Sequence, residues 1–257
     1  MQAFNTSYFL NKVSSLAIML TIFVAYGCSK DGASADAKTF QGKGGSMARF
    51  AVQGPWLYTV DMKQLRTYDL ADPANPKPVH TQDVGFEIET IFPFGDKLFI
   101  GSTSVIHIFS LDDPAKPQKL STAISPTVMR RCDPVVAKDS VAYATLRSGV
   151  ECGGIQSILA VFDIRNITAP VQRQAITLQA PRGLGYADTI LYVCDPPGLK
   201  LYNISNAWEP QFISTITGDE YFDVIPYGGL LFAWTKTGGR IFNIQDPAAP
   251  VQISQLQ

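Results

Sequence analysis

Residues Leu65 to Pro76 read LRTYDLADPANP, and the pattern returns four more times. The other copies are IHIFSLDDPAKP (Ile106 to Pro117), LAVFDIRNITAP (Leu159 to Pro170), LKLYNISNAWEP (Leu199 to Pro210) and GRIFNIQDPAAP (Gly239 to Pro250). Each copy is an apolar strand that runs into a turn locked by proline, which fixes φ and cannot continue a ladder. The central aromatics Tyr68, Phe109, Phe162, Tyr202 and Phe242 recur at intervals of 41, 53, 40 and 40 residues. A repeat of about 40 residues is the size of one four-stranded propeller blade.

A second regular feature lies upstream of each copy. Tyr58, Phe99, Tyr143, Tyr192 and Phe232 each have a turn former four positions earlier, namely Gly54, Gly95, Asp139, Asp188 and Gly228. Gly and Asp tolerate the positive φ of tight hairpins. Each unit therefore predicts a strand, a hairpin, a second strand, a loop, a third strand, the Pro turn and a fourth strand. In the first unit these are Ser46 to Gln53, Trp56 to Val60, Leu65 to Leu70 and Lys77 to Thr81. Third strands such as SILAVFDI (Ser157 to Ile164) are apolar at nearly every position, which a sheet covered on both faces requires.

The expected fold class is all-β, a β-propeller of five blades with four antiparallel strands each, forming a single domain over residues 46–257. In this spacing the blades begin and end whole, so ring closure should rest on packing between the first and fifth, with no strand shared across the seam. Asp72, Asp113, Asn166, Asn206 and Asp246, four residues after each aromatic, are expected to accept from amides two residues on.

Val13 to Tyr26, VSSLAIMLTIFVAY, is an uncharged run too short for a membrane span of about 20 residues, and it suits the apolar region of a secretory signal. It ends in Ala25-Tyr26-Gly27-Cys28, which resembles a bacterial lipobox. That resemblance implies a lipoprotein signal peptide over 1–27 and acylation of Cys28. Ser29-Lys30-Asp31 carries no Asp directly behind the cysteine, which looks like an outer-membrane address. Residues 28–45, rich in Gly, Ala, Ser and Lys with one isolated Phe40, read as a flexible tether.

The repeat resembles the LVIVD-repeat proteins, and Gly198-Leu199-Lys200-Leu201-Tyr202-Asn203-Ile204 is one of its closer matches. Tyr or Phe stands where that family usually has an aliphatic residue, and only Asp69 and Asp163 keep the acid that follows. The resemblance implies a β-propeller on an exported, envelope-associated protein. It brings no common reaction and no functional residues.

A net charge of −1 across 257 residues lacks the clustered basic surface that nucleic acid requires. Strand direction alternates within a blade, so the hairpins and Pro turns share one rim, nearly identical in all units. The opposite rim differs from unit to unit and is where a ligand is expected. Candidates there are Arg49, Glu87, Glu89, Arg130, Arg131, Asp133, Arg182, Tyr221, Asp223 and Trp234. Glu89, Asp133 and Arg182 stand ten residues before the second-strand aromatic, and Asp223 is one residue out of that register. Mixed charges with aromatics suit a polar partner: an envelope protein, a peptide or a glycan.

The third unit carries an insertion, LRSGVECGGIQS (Leu146 to Ser157), which places Cys152 on the rim of Cys132. A Cys132–Cys152 disulfide is expected in an oxidising envelope compartment, with Cys132–Cys194 as the alternative. No metal site or cofactor is expected, since the thiols lack a nearby His and paired spacing. His80 and His107 fall on strands without a motif and are expected to pack. The expected function is a non-catalytic, lipid-anchored binding or scaffold module. The alternative is a carbohydrate-active enzyme that uses Glu89, Asp133 and Asp223.

Overall fold

A computed structural model of the protein describes residues 44–126, 134–148 and 156–256. Its twenty strands lie in one compact unit. Blade 1 is β1 (Phe50–Gln53), β2 (Trp56–Val60), β3 (Gln64–Asp69) and β4 (Lys77–Asp83). Blade 2 is β5 (Ile88–Phe94), β6 (Lys97–Ser102), β7 (Ile106–Ser110) and β8 (Gln118–Ala123). Blade 3 is β9 (Val135–Lys138), β10 (Val141–Leu146), β11 (Ser157–Asp163) and β12 (Val171–Leu178). Blade 4 is β13 (Leu184–Ala187), β14 (Ile190–Asp195), β15 (Gly198–Asn203) and β16 (Gln211–Thr217), and blade 5 is β17 (Tyr221–Tyr227), β18 (Leu230–Thr235), β19 (Gly238–Asn243) and β20 (Val251–Leu256). Every sheet pairs its four strands in sequence order, all antiparallel. The chain is a five-bladed β-propeller.

The local chemistry follows the repeat. Gly54, Gly95, Asp139, Asp188 and Gly228 all have φ between 50° and 59°. In each Pro turn the acid or amide accepts from the amide two residues on: Asp72 from Ala74, Asp113 from Ala115, Asn166 from Thr168, Asn206 from Trp208 and Asp246 from Ala248. A register shift precedes the third-strand aromatic in every blade, at Tyr68, Phe109, Phe162, Tyr202 and Phe242. The shared bulge twists each fourth strand away from the sheet at the same place.

Apolar packing is uneven around the ring. One buried cluster joins blades 1 and 2, a second joins blades 2, 3 and 4, and a third joins blades 4 and 5. None among the described residues joins blade 5 to blade 1. No strand is shared across that seam either, in line with the sequence spacing.

The seam is held by the segment ahead of β1. This first strand begins at Phe50, later than the expected Ser46, because residues 45–48 close a turn in which the amide of Ala48 donates to Gly45 O at 3.1 Å. Ser46, buried within that turn, donates from Oγ to Asp223 of β17 at 3.1 Å and accepts from the amide of Leu184 in β13 at 2.8 Å. The carbonyl of Ala48 accepts from the amide of Ile91 in β5. A single short segment thus ties blade 1 to blades 2, 4 and 5.

Candidate functional site

Residues from all five blades converge on one pocket of about 280 Å³ at the variable rim. Arg49 comes from the segment ahead of β1, Glu89 and Thr90 from β5, Arg147 from the end of β10, Arg182 from the entry to β13 and Phe222 from β17. The pocket therefore lies where the ring's inner strands meet.

Two of these side chains owe their direction to β-bulges. Ile88 pairs with Ser102 and Thr90 with Gly101, so Glu89 is an extra, unpaired residue. Likewise Tyr221 pairs with Thr235 and Asp223 with Trp234, which leaves Phe222 as the extra residue. A bulge re-aims one side chain without interrupting the strand, and both of these lie on the pocket wall.

Arg182 is fixed from several sides. Its backbone amide donates to Cys194 O, and its carbonyl accepts from Thr145 Oγ1. Its guanidinium donates to Glu220 at 2.5 Å and lies 4.2 Å over the Phe222 ring. Arg49 and Arg147 make no ion pair among the described residues. Burial raises the Glu89 carboxyl above its ordinary range, partly offset by the positive charge of Arg49. Glu220 neutralises Arg182, so Arg49 and Arg147 face the one carboxylate that lines the pocket, Glu89, and the excess of charge there is positive.

The remaining candidates are dispersed. Tyr221 is buried and lines a separate pocket of about 410 Å³ with Asp219 and Glu220. Asp223 and Trp234 line a groove at the seam. Arg130, Arg131, Asp133, Cys28, Cys132 and Cys152 lie outside the described residues. Cys194 is a free, buried thiol, so the alternative Cys132–Cys194 pairing is not made. His107 is buried, its pKa drawn down to about 4 by desolvation, as a packing histidine would be. Among the described residues no group of His, Cys, Asp and Glu has metal-binding geometry, and no helix is long and apolar enough to cross a membrane.

No protein-family model matches the sequence, and no curated protein matches it. Solved structures match its fold. A functionally unknown protein from Desulfotomaculum acetoxidans superposes with a TM-score of 0.61 at 11% identity, over 77% of this chain and 65% of the other. A protein from Lactobacillus plantarum gives 0.62 at 11% over 79% and 67%, and the periplasmic gluconolactonase of Pseudomonas aeruginosa gives 0.58 at 14% over 79% and 67%. The chain thus spans about two thirds of each of these longer chains, slightly less for the first. At such identities the likeness is one of fold.

Arg147 and Phe222 were not among the sequence candidates. For Phe222 a signal existed: it stands ten residues before Phe232, the register of Glu89 and Arg182. The neighbouring Asp223 is the charged residue of the pair, yet its side chain turns to the seam. Arg147 stands four residues after Tyr143, a register in which the other units carry Met62, Thr103, Pro196 and Lys236, so the repeat itself does not mark it.

Proposed function

We propose that the protein is a non-catalytic binding module of the cell envelope, held at a membrane by a lipid on Cys28, whose rim pocket takes an acidic ligand such as a carboxylate-bearing glycan or peptide. The observation that carries this reading is the convergence of Arg49 and Arg147, which make no ion pair among the described residues, with Arg182, held by Glu220, on one pocket lined by a single half-buried carboxylate, Glu89. Guanidinium forks suit carboxylates because two parallel N–H donors meet two oxygens. Placement in an outer membrane, and membership of the LVIVD-like propellers, belong to the same proposal and rest on Ala25 to Cys28 and on the repeat.

Isothermal titration with trigalacturonate and with a Glu-rich pentapeptide tests the pocket, with maltotriose as the neutral control. At least one acidic probe should bind in a salt-sensitive way and weaken about tenfold or more in Arg147→Ala, roughly one charge-assisted contact. Binding by neither acidic probe counts against the reading. Turnover of a glycan that disappears in Glu89→Gln would overturn its non-catalytic part. Incorporation of labelled palmitate, lost in Cys28→Ala, checks the anchor.

A further inference from the structure

Phe232 is 38% exposed, whereas its counterparts Tyr58, Tyr143 and Tyr192 are fully buried and Phe99 nearly so. Two residues on, Trp234 is 61% exposed, where Val60, Thr145 and Cys194 are buried. Along β18 the even positions Phe232 and Trp234 face outward, while Leu231, Ala233 and Thr235 face blade 4. Across the seam, Phe50 pairs with Thr59 and so faces away from the Ala51–Tyr58 side that packs on blade 2. The interblade face of blade 5 is therefore built like the other four and left uncovered.

On this face of blade 5 lies an apolar groove of about 590 Å³, lined by Phe222, Phe232, Trp234, Ile241 and Leu256, with Met47 of the segment ahead of β1 beside them. The entering chain reaches it directly. A Cβ on Gly45 would meet the Asp223 carboxylate at 2.0 Å and Ile225 at 3.2 Å, so the backbone there lies against the groove floor. Upstream, residues 28–43 contain one large apolar side chain, Phe40, five residues before Gly45. Five residues span at most about 17 Å, enough to return one side chain to the groove.

We infer that Phe40 of the N-terminal segment seats in this groove, against Phe232 and Trp234, and covers the face that blade 1 leaves open. The tether then grips the ring at its seam, and only the chain between Cys28 and Phe40 is left as a spacer to the membrane. A buried aromatic pair of this kind contributes beyond simple area, and water leaves both faces together.

The test places photoreactive benzoylphenylalanine at position 40 of the full-length chain in cells, followed by mapping of cross-linked peptides. Cross-links within one chain to the segment 222–241 or to Leu256 are expected. Tryptophan fluorescence gives a second measurement on the purified full-length protein. Phe40→Ala should about double acrylamide quenching, an increase that vanishes in a Trp234→Phe background, whereas Thr39→Ala changes nothing. Cross-links between two chains would replace the inference with a second copy as occupant. Cross-links elsewhere, or Trp234 quenching indifferent to position 40, would overturn it.

Discussion

The phenol of Tyr143 in blade 3 donates a 2.8 Å hydrogen bond to the backbone carbonyl of Ala207 in the Pro turn of blade 4. Tyr58 makes the same bond to Pro114 at 2.9 Å, and Tyr192 to Pro247 at 2.7 Å. In all three cases the acceptor stands five residues after the third-strand aromatic of the next blade. Blade 2 has Phe99 at this position, and the Ser121 hydroxyl serves the equivalent carbonyl of Ile167 at 2.5 Å. The fifth acceptor is Pro73. It is exposed and receives no such bond among the described residues, since its donor would be Phe232. Burial holds the tyrosine hydroxyls far above their ordinary pKa, so they remain donors at any physiological pH.

Tyr143→Phe and Tyr192→Phe should each cost about 1–2 kcal/mol, because the ring still packs while a carbonyl loses its partner. Phe232→Tyr should change stability by less than about 0.5 kcal/mol, since Phe232 is 38% exposed and no buried cluster among the described residues joins blade 5 to blade 1. Urea midpoints of the three variants decide the matter. A gain from Phe232→Tyr comparable to the other losses would mean that the seam closes as the other interfaces do.

Asp223 predicts a pH dependence. Its carboxylate lies between Gly45 and Gly183, and burial lifts its pKa from 3.8 to about 6 despite hydrogen bonds from the Val224, Ser46 and Met47 side. A group that binds its proton more tightly in the folded state stabilises the fold most at low pH. Its contribution is full below pH 3.8 and is lost as pH rises through about 6. The amount is roughly 2–3 kcal/mol. Asp223→Asn should flatten the fall in Tm between pH 4.5 and 7.5 and match or exceed the parent at the upper end. An unchanged slope would assign that titration to another group.

A third expectation concerns the buried carboxylate of Asp195 at the end of β14. It accepts from the amides of Gln179 and Ala180 at 3.0 and 2.8 Å and from Lys200 Nζ at 2.6 Å, with its side chain fully enclosed. Asp195→Ala strands two amides and an ammonium group and should cost about 3–5 kcal/mol. Lys200→Met leaves the carboxylate its two amides and should cost less. Equal losses in chemical denaturation would show that the ion pair outweighs the amide bonds.

The architecture was legible because the signals that build a blade are local. Positive φ at Asp139 and Asp188, the Asx acceptors and the prolines all act within a few residues, and five copies repeat the message. The site was legible only in part, because it depends on where a bulge places the unpaired residue. Glu89 is that residue in β5, and its charge made it conspicuous. Phe222 holds the same office in β17, but an aromatic on a strand reads as core. The exposure of Phe232 and Trp234 had no signature, since their side chains match the pattern of covered blades. What distinguishes them is the absence of a neighbour, which no single unit encodes.

That every sheet is made from consecutive strands, with none borrowed across the seam, bears on how such a chain can change. Gaining or losing one unit of about 40 residues adds or removes a finished blade and orphans no ladder. A ring fastened by an exchanged strand must rebuild its clasp whenever its terminal units alter. This one has only to re-anchor Ser46, so its circumference is open to evolutionary revision by simple duplication.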